Sequence, residues 1–326
     1  MAAASPLLAL DGMADELIRV ERALRDSVVA DDPYLTEIAS HLIQAGGKRQ
    51  RPAFAIVVGA CKTGLPVPDA VILGGVAVEL VQVGSLYHDD VMDEALTRRG
   101  VESVNARWGN LRAILSGDFL LAKASEIAAS LGVEVAGLLA ATIGSLCVGQ
   151  VRELQTAYNS ERSEEQYLSA IAGKTASLFA AATRIGAIVA DLPRAQIEAL
   201  TLYGHRYGMA FQIVDDVLDV VATDEELGKP SGQDLAEGIY TLPVIRALRN
   251  GGGELRGLLG SPLDHADVER ARKLVRADGA IDDALVLARG YCDSAIDALA
   301  PLADCGAPVE ALAAAAASLP DSVPAF

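Results

Sequence analysis

Two acidic clusters of identical spacing constrain this chain more than any other feature. The first is Asp89-Asp90-Val91-Met92-Asp93 and the second is Asp215-Asp216-Val217-Leu218-Asp219. Each closes an apolar stretch, residues 70–86 before the first and the run through Phe211-Gln212-Ile213-Val214 before the second. Read as helices, the outer aspartates of each cluster lie four apart on one face, with the middle one beside them. Carboxylates this close repel one another and raise each other's pKa unless a positive charge sits between them. A solvated helix end accommodates one such cluster. Two of the same spacing, each on an apolar helix, point to a helical bundle whose acidic ends face each other and share cations. Mg²⁺ suits the task, because it takes one or two carboxylates and completes its shell with water and substrate phosphate. A diphosphate fits the gap as the bridging ligand.

Composition agrees with a mostly helical interior, since 51% of the 326 residues are hydrophobic and only 4% aromatic. No Ser/Pro/Gly tract or charge run marks a linker, so one domain over residues 1–326 is expected. The net charge of −17 argues against nucleic acid and anionic lipid as partners. Cys61, Cys147, Cys292 and Cys305 lack metal-ligand spacing and read as small core hydrophobes in a reducing compartment. Met1-Ala2-Ala3-Ala4-Ser5 lacks the basic start of a signal peptide. The longest uncharged run, residues 135–151, falls short of a membrane span and reads as a buried bundle helix. A cytoplasmic protein without a transmembrane segment is expected.

The cations gather in few places. Gly46-Gly47-Lys48-Arg49-Gln50-Arg51-Pro52 puts three of them on a turn at a helix start, with Pro52 suited to the first turn. Free backbone N–H groups there reinforce an anion site. Thr97-Arg98-Arg99-Gly100 follows the first cluster, and its arginines serve either as ion-pair partners of the aspartates or as forks for phosphate oxygens. The phosphate role is favoured where metals already balance the carboxylates. Lys174, beside Thr175, is a lone cation in an apolar stretch, where lysines are rare unless paired. Gly228-Lys229-Pro230 follows the second cluster. Residues 7–30 form an amphipathic helix, with Leu17, Val20, Leu24 and Val28 at helical intervals, on the outside of the bundle or at a subunit contact. Residues 59–68 read as a loop, as do 105–109, the latter anchored by Trp108. Helices are expected over 113–131, 135–155 and 163–190, the last with a cap at Ser163. No strand-like alternation recurs, and His41, His205 and His265 read as structural.

Taken together, GGKRQRP, HDDVMDEALTRRG, GDFLLA, GKTASL, FQIVDDVLD, GKPSGQDL and TLP resemble the trans-isoprenyl (polyprenyl) diphosphate synthase family, in that family's order, over residues 42–249. The resemblance implies an all-α, isoprenoid-synthase-type helical bundle around a central cavity, usually homodimeric. It implies Mg²⁺-dependent, head-to-tail condensation of isopentenyl diphosphate with an allylic diphosphate (geranyl, farnesyl or geranylgeranyl). It also implies roles: Asp89, Asp90, Asp93, Asp215, Asp216 and Asp219 as metal ligands or their close supports; Arg98, Lys174 and Lys229 on the allylic diphosphate; Thr175 and Gln212 near the forming carbocation; Lys48, Arg51 and Arg99 on isopentenyl diphosphate. Members commonly carry His where this chain has Gln82, and an amide still donates to phosphate, so altered affinity is expected there. Some members close the site with a basic tail, whereas this chain ends Pro320-Asp321-Ser322-Val323-Pro324-Ala325-Phe326. Short-chain members place aromatics four and five residues before the first aspartate. Here Ser85 and Gly84 stand there, which predicts an open floor and a long-chain product, unless Gly84 serves only helix packing. A shorter-chain synthase, a subunit of a heteromeric synthase, a terpene cyclase and a non-enzymatic cation-binding bundle are the rival readings. The cyclase fits poorly because its second metal motif is usually wider and carries Asn/Asp, Ser/Thr and Glu.

Overall fold

The computed structural model describes residues 5–227, 231–277 and 279–324. Helices α1 (Met13–Ser27), α2 (Pro33–Gln44), α3 (Gln50–Thr63) and α4 (Asp69–Met92) lead to the first aspartate cluster. Next come α5 (Val104–Trp108), α6 (Asn110–Ser130), α7 (Val133–Leu154), α8 (Glu164–Ile171), α9 (Ser177–Val189) and α10 (Arg194–Val221), which carries the second cluster. The rest comprises α11 (Asp224–Leu227), α12 (Gln233–Ala236), α13 (Leu242–Arg249), α14 (Gly253–Leu258), α15 (His265–Arg276), α16 (Ala280–Ala298) and α17 (Ala307–Ala317). Helix starts follow local chemistry: Asp32 accepts from the Tyr34 N–H before Pro33 opens α2, and Ser163 and Gln166 form a reciprocal capping box on α8.

α4 is apolar on nearly every side and is buried accordingly, packed among α3, α6 and α9. α10 lies against α9 and α16, its first half in one core cluster and its second half in another. Tyr203, Tyr207 and Phe211 line one face of α10 at four-residue intervals. With Phe54 of α3 and Phe179 of α9 they form an aromatic seam, the Phe54 and Tyr207 centroids being 4.5 Å apart. Edge-on and offset contacts of this kind add to simple burial. The seam fixes α10 against α3 and α9 directly below Gln212 and Asp215.

Several sequence expectations need correction. Residues 7–30 are not one helix: a 3-10 turn, Pro6–Ala9, precedes α1, and Gly12 at φ 87° separates them. Residues 59–63 belong to α3 rather than to a loop. Gly59 is there for close approach, since a Cβ would lie 2.8 Å from Val71 of α4. Residues 104–108 form one helical turn capped by Ser103, with Trp108 edge-on to His41 at 4.9 Å. A two-stranded hairpin does occur, Thr97–Arg98 against Val101–Glu102. Arg99 (φ 54°) and Gly100 (φ 76°) are its left-handed turn, the geometry that matches strand twist in two-residue loops. The span 163–190 is broken by a single π turn, Ala172–Ala176, between α8 and α9.

Candidate active site

The first cluster sits at the C-terminal end of α4. Asp90 is fully buried and accepts Arg98 Nε at 2.7 Å on Oδ1, with Arg98 Nη2 at 2.6 Å from the same oxygen. The hairpin turns Arg98 back onto Asp90, so the ion-pair role is present in this structure. Asp89 and Asp93 are part-buried. Burial pushes Asp89 up to about 6, with Asp93 and Glu153 adding to the rise while Lys174 and Arg98 oppose it. Burial also raises Asp93 and Asp90, the latter despite Arg98.

The second cluster occupies the same place on α10. Asp216 is buried and accepts from the Tyr167 hydroxyl at 2.5 Å and from Gln212 Nε2 at 2.7 Å. Burial pushes it up to about 7, against those two hydrogen bonds and with Asp215 adding to the rise. Thr175 completes the chain by donating to Gln212 Oε1 at 2.6 Å. Gln212 and Thr175 are thus joined to the second cluster through hydrogen bonds. Asp219 is buried and accepts from the Asp234 N–H at 3.3 Å, whereas Asp215 is exposed.

Lys174 lies beside the first cluster, next to Thr175, which reaches the second through Gln212. Its Nζ donates to Glu153 of α7 at 2.5 Å. Burial works against its charge, but Glu153, Asp89 and Asp93 outweigh it and hold the ammonium up at about 12. The π turn sets this position. Its backbone lies directly on α7: a Cβ on Gly149 would meet the Lys174 nitrogen at 2.5 Å, and one on Gly173 the Ser145 carbonyl at 2.7 Å. Single π turns inside helices recur at functional sites.

The other cations lie beside the midpoint of α4. Glu79, buried there, is 3.0 Å from Arg49 and 3.6 Å from Arg99. Arg49 also pairs with Glu21 and donates to the Ile43 carbonyl, which makes it structural. Arg99 donates to the Leu42 and Gly46 carbonyls at 2.9 and 2.6 Å. Arg51 stacks 4.6 Å from the Phe179 ring centroid, and its Nε has no hydrogen-bond partner among the described residues. Burial and the Arg99 charge lower it to about 10, with Glu79 opposing. Lys48 is exposed on the same turn and Gln82 is part-buried. Lys229 lies outside the described residues.

Gly84 does not face an open floor. A Cβ there would meet the Gly117 carbonyl of α6 at 3.1 Å and Leu120 at 3.4 Å. Gly84 therefore serves the close packing of α4 on α6, the alternative left open by the sequence. Ser85 is part-buried and returns its hydroxyl to the Gln82 carbonyl at 3.0 Å.

Sequence reasoning missed Glu79, Glu153, Arg162 and Tyr167. A signal existed for the first two. Glu79 is the one acid between Asp69 and Asp89, and Glu153 follows closely on the long uncharged run.

Among the described residues, no three His, Cys, Asp or Glu side chains converge into a ready-made metal cage. The donor set still fits Mg²⁺. Its oxygens are carboxylates, and the burial that raises Asp89 and Asp93, with Glu153 nearby adding to it, is offset by a divalent cation. An ion that keeps several waters and substrate phosphates needs only one or two carboxylates from the protein.

Comparison with known proteins agrees. A family model described as Polyprenyl synthetase matches residues 32–277. Nonaprenyl diphosphate synthase of Mycobacterium tuberculosis (strain ATCC 25618 / H37Rv) is 41% identical over 292 residues, covering 88% of this chain and 86% of that one. Heptaprenyl diphosphate synthase component 2 of Geobacillus stearothermophilus is 37% identical over 289 residues, covering 88% and 90%. The crystal structure of a decaprenyl diphosphate synthase from Rhodobacter capsulatus superposes with a TM-score of 0.88 at 33% identity, covering 98% of this chain and 99% of that one. The chain belongs to the polyprenyl synthetase family. It is a prenyltransferase, a trans-polyprenyl diphosphate synthase on the isoprenoid-synthase helical fold.

Proposed function

We propose that this chain extends an allylic diphosphate (geranyl, farnesyl or geranylgeranyl) by head-to-tail addition of isopentenyl diphosphate, with Mg²⁺, to a long-chain trans-polyprenyl diphosphate of the kind used as a quinone tail or carrier lipid. One observation carries the reading: Glu153, ion-paired with Lys174, acts on Asp89 of the first cluster and Asp216 of the second, while Lys174 faces Asp89 and Asp93. Mg²⁺, when bound, supplies Lewis-acid neutralisation of the departing diphosphate, and Asp89, Asp93, Asp215 and Asp219 are the residues that would hold it. Asp90 and Asp216 act as buried supports, each already engaged by donors. Lys174 gives a fixed ammonium for the allylic diphosphate, a role shared with Arg98 and, by the motif it stands in, Lys229. Preorganised charge of this sort is worth most where water is excluded. The Thr175 and Gln212 oxygens line the position of the allylic cation. Lys48, Arg51 and Arg99 clamp isopentenyl diphosphate, and Gln82 adds an amide donor. The free N–H of Arg51 supports this assignment.

Product length rests on Ser85 and on the long-chain names of the relatives. Two copies assemble through an apolar face: Leu111, Ile114 and Leu115 on α6 and Val148, Val151 and Leu154 on α7 are all exposed. α7 is long and apolar enough to cross a membrane by length and composition, yet only 22% of its apolar window is buried within one chain. A second copy of this acidic, free-thiol protein in the cytoplasm is the occupant that this reading favours. The heptaprenyl component 2 relative supports a heteromer as the second reading. Purified protein is incubated with labelled isopentenyl diphosphate, each primer and Mg²⁺, and products are sized by mass. Long linear products support the proposal, short ones move the product class, and turnover only with an added protein supports the heteromer. A cyclic hydrocarbon, or no turnover under any condition, refutes it.

A further inference from the structure

Between α7 and α8 lies a turn, residues 155–162, to which the reaction above gives no role. It grips the segment that follows the second aspartate cluster. The Tyr158 N–H donates to the Gly238 carbonyl at 2.7 Å, and Arg162 Nη1 donates to the Tyr240 carbonyl at 3.0 Å. The Tyr158 ring closes over Gly238, where a Cβ would lie 2.4 Å from it. Both residues are left-handed, Tyr158 at φ 58° and Gly238 at φ 73°. An aromatic residue held there is uncommon and persists only where its surroundings over-determine it.

Arg162 is the centre of this contact. It is 4% exposed, and its Cζ lies 5.5 Å from the centroid of Tyr167, whose hydroxyl holds Asp216. Its charge acts on Glu153, Asp216 and Asp234, three acids from three helices. Its Nε and Nη2 have no hydrogen-bond partner among the described residues. Buried arginines are rare without a compensating charge, and here the compensation comes from the site itself. The gripped segment reaches both aspartate clusters. The Asp234 N–H donates to the Asp219 carboxylate, and Glu237 acts on the charges of Asp93, Lys174 and Arg98.

We propose that Arg162 is a positioning residue that anchors residues 233–241 and the Tyr167–Asp216 pair, and so sets the spacing of the second aspartate cluster relative to the first. The inference rests on the prenyltransferase reading. Arg162 acts through the Tyr240 carbonyl and Tyr167, without touching substrate.

The test compares Arg162→Met, Arg162→Lys and Gly238→Ala with the native chain. Misplacing a reacting group by about an ångström costs up to about a hundredfold, so Arg162→Met is expected to lower kcat about tenfold or more while KM for isopentenyl diphosphate stays within about threefold. The Mg²⁺ concentration for half-maximal rate rises. In the metal-free protein, amide hydrogen exchange over residues 233–241 accelerates. Arg162→Lys keeps the charge and recovers part of the rate. Gly238→Ala strikes the same contact from the other side with Arg162 intact, and it carries the test if Arg162→Met does not fold. A folded variant with kcat and exchange within about twofold of the native chain overturns the proposal. So does faster exchange with unchanged kcat, which leaves Arg162 a purely structural anchor. A native chain that extends no primer refutes the enzymatic reading instead.

Discussion

The two aspartate clusters share a spacing but differ in what holds the middle member. Asp90 is held by a cation, Arg98, which the hairpin folds back onto it. Asp216 is held by two neutral donors, Tyr167 and Gln212. The first cluster therefore carries its counter-charge in direct contact. Asp216 relies on donors that align its carboxylate without neutralising it, and Arg162 acts on its charge from the far side of Tyr167. The comparison teaches that equal motifs need not give their middle carboxylates equal electrostatic support.

The largest expected effect probes the clusters themselves. Asp89→Ala and Asp215→Ala should each lower kcat by about a thousandfold, read by labelled isopentenyl diphosphate incorporation. A loss confined to one of them would break the symmetry assumed for the metal sites. Next, Arg98→Gln leaves Asp90 buried without its cation and should cost roughly 3 kcal/mol of stability. Tyr167→Phe removes one of two neutral donors and should cost about 1–2 kcal/mol. Denaturant melts of the two variants decide the order, and a reversed order would sink the contrast between charged and neutral support.

A smaller effect concerns pH. Asp89 at about 6 and Asp216 at about 7 lie above the ordinary carboxylate range, so the folded chain keeps protons that the unfolded chain releases. The sign follows: this contribution to stability is complete below about pH 4 and is lost as pH rises through about 6 to 7. The melting temperature of the metal-free protein should therefore fall from about pH 5 to about pH 8, and Mg²⁺ with inorganic diphosphate should flatten that slope. A flat profile without Mg²⁺ would mean that the carboxylates are already balanced. The smallest effect is at the floor. Gly84→Ala should cost about 1–2 kcal/mol by crowding α6, while Ser85→Phe should shorten the product with little change in stability. Product sizing of Ser85→Phe checks the floor without disturbing the α4–α6 contact.

The aspartates and most of the cations were legible in the sequence because charge is costly in an apolar helix and stands out there. The bundle was legible for the same reason, from long apolar stretches such as the one that became α4. What escaped depends on contacts between distant segments. Glu79 and Glu153 carry weight only because Arg49, Arg99 and Lys174 reach them from other elements. Arg162 and Tyr167 sit in a turn and at a helix start, where periodicity is silent. Gly59 and Gly84 read naturally as a break and an open floor, yet each marks a crossing of two helices. The hairpin at Arg98–Val101 is too short for alternation to show. For Arg98 the sequence leaves an ion pair and a phosphate contact both open, and the hairpin that folds it onto Asp90 is what makes the ion pair.

The π turn at Ala172–Ala176 stores one surplus residue in an otherwise regular rod. Deleting a residue within it would let the rod heal into ordinary α geometry with both flanks close to their present facing, while the side chains inside the turn shift against their neighbours. Lys174 would swing off Glu153, and Thr175 off Gln212, although no charged or polar group had been removed. Hybrids spliced through these five positions should therefore be inert however well their composition matches, whereas splices outside them leave the ammonium in place.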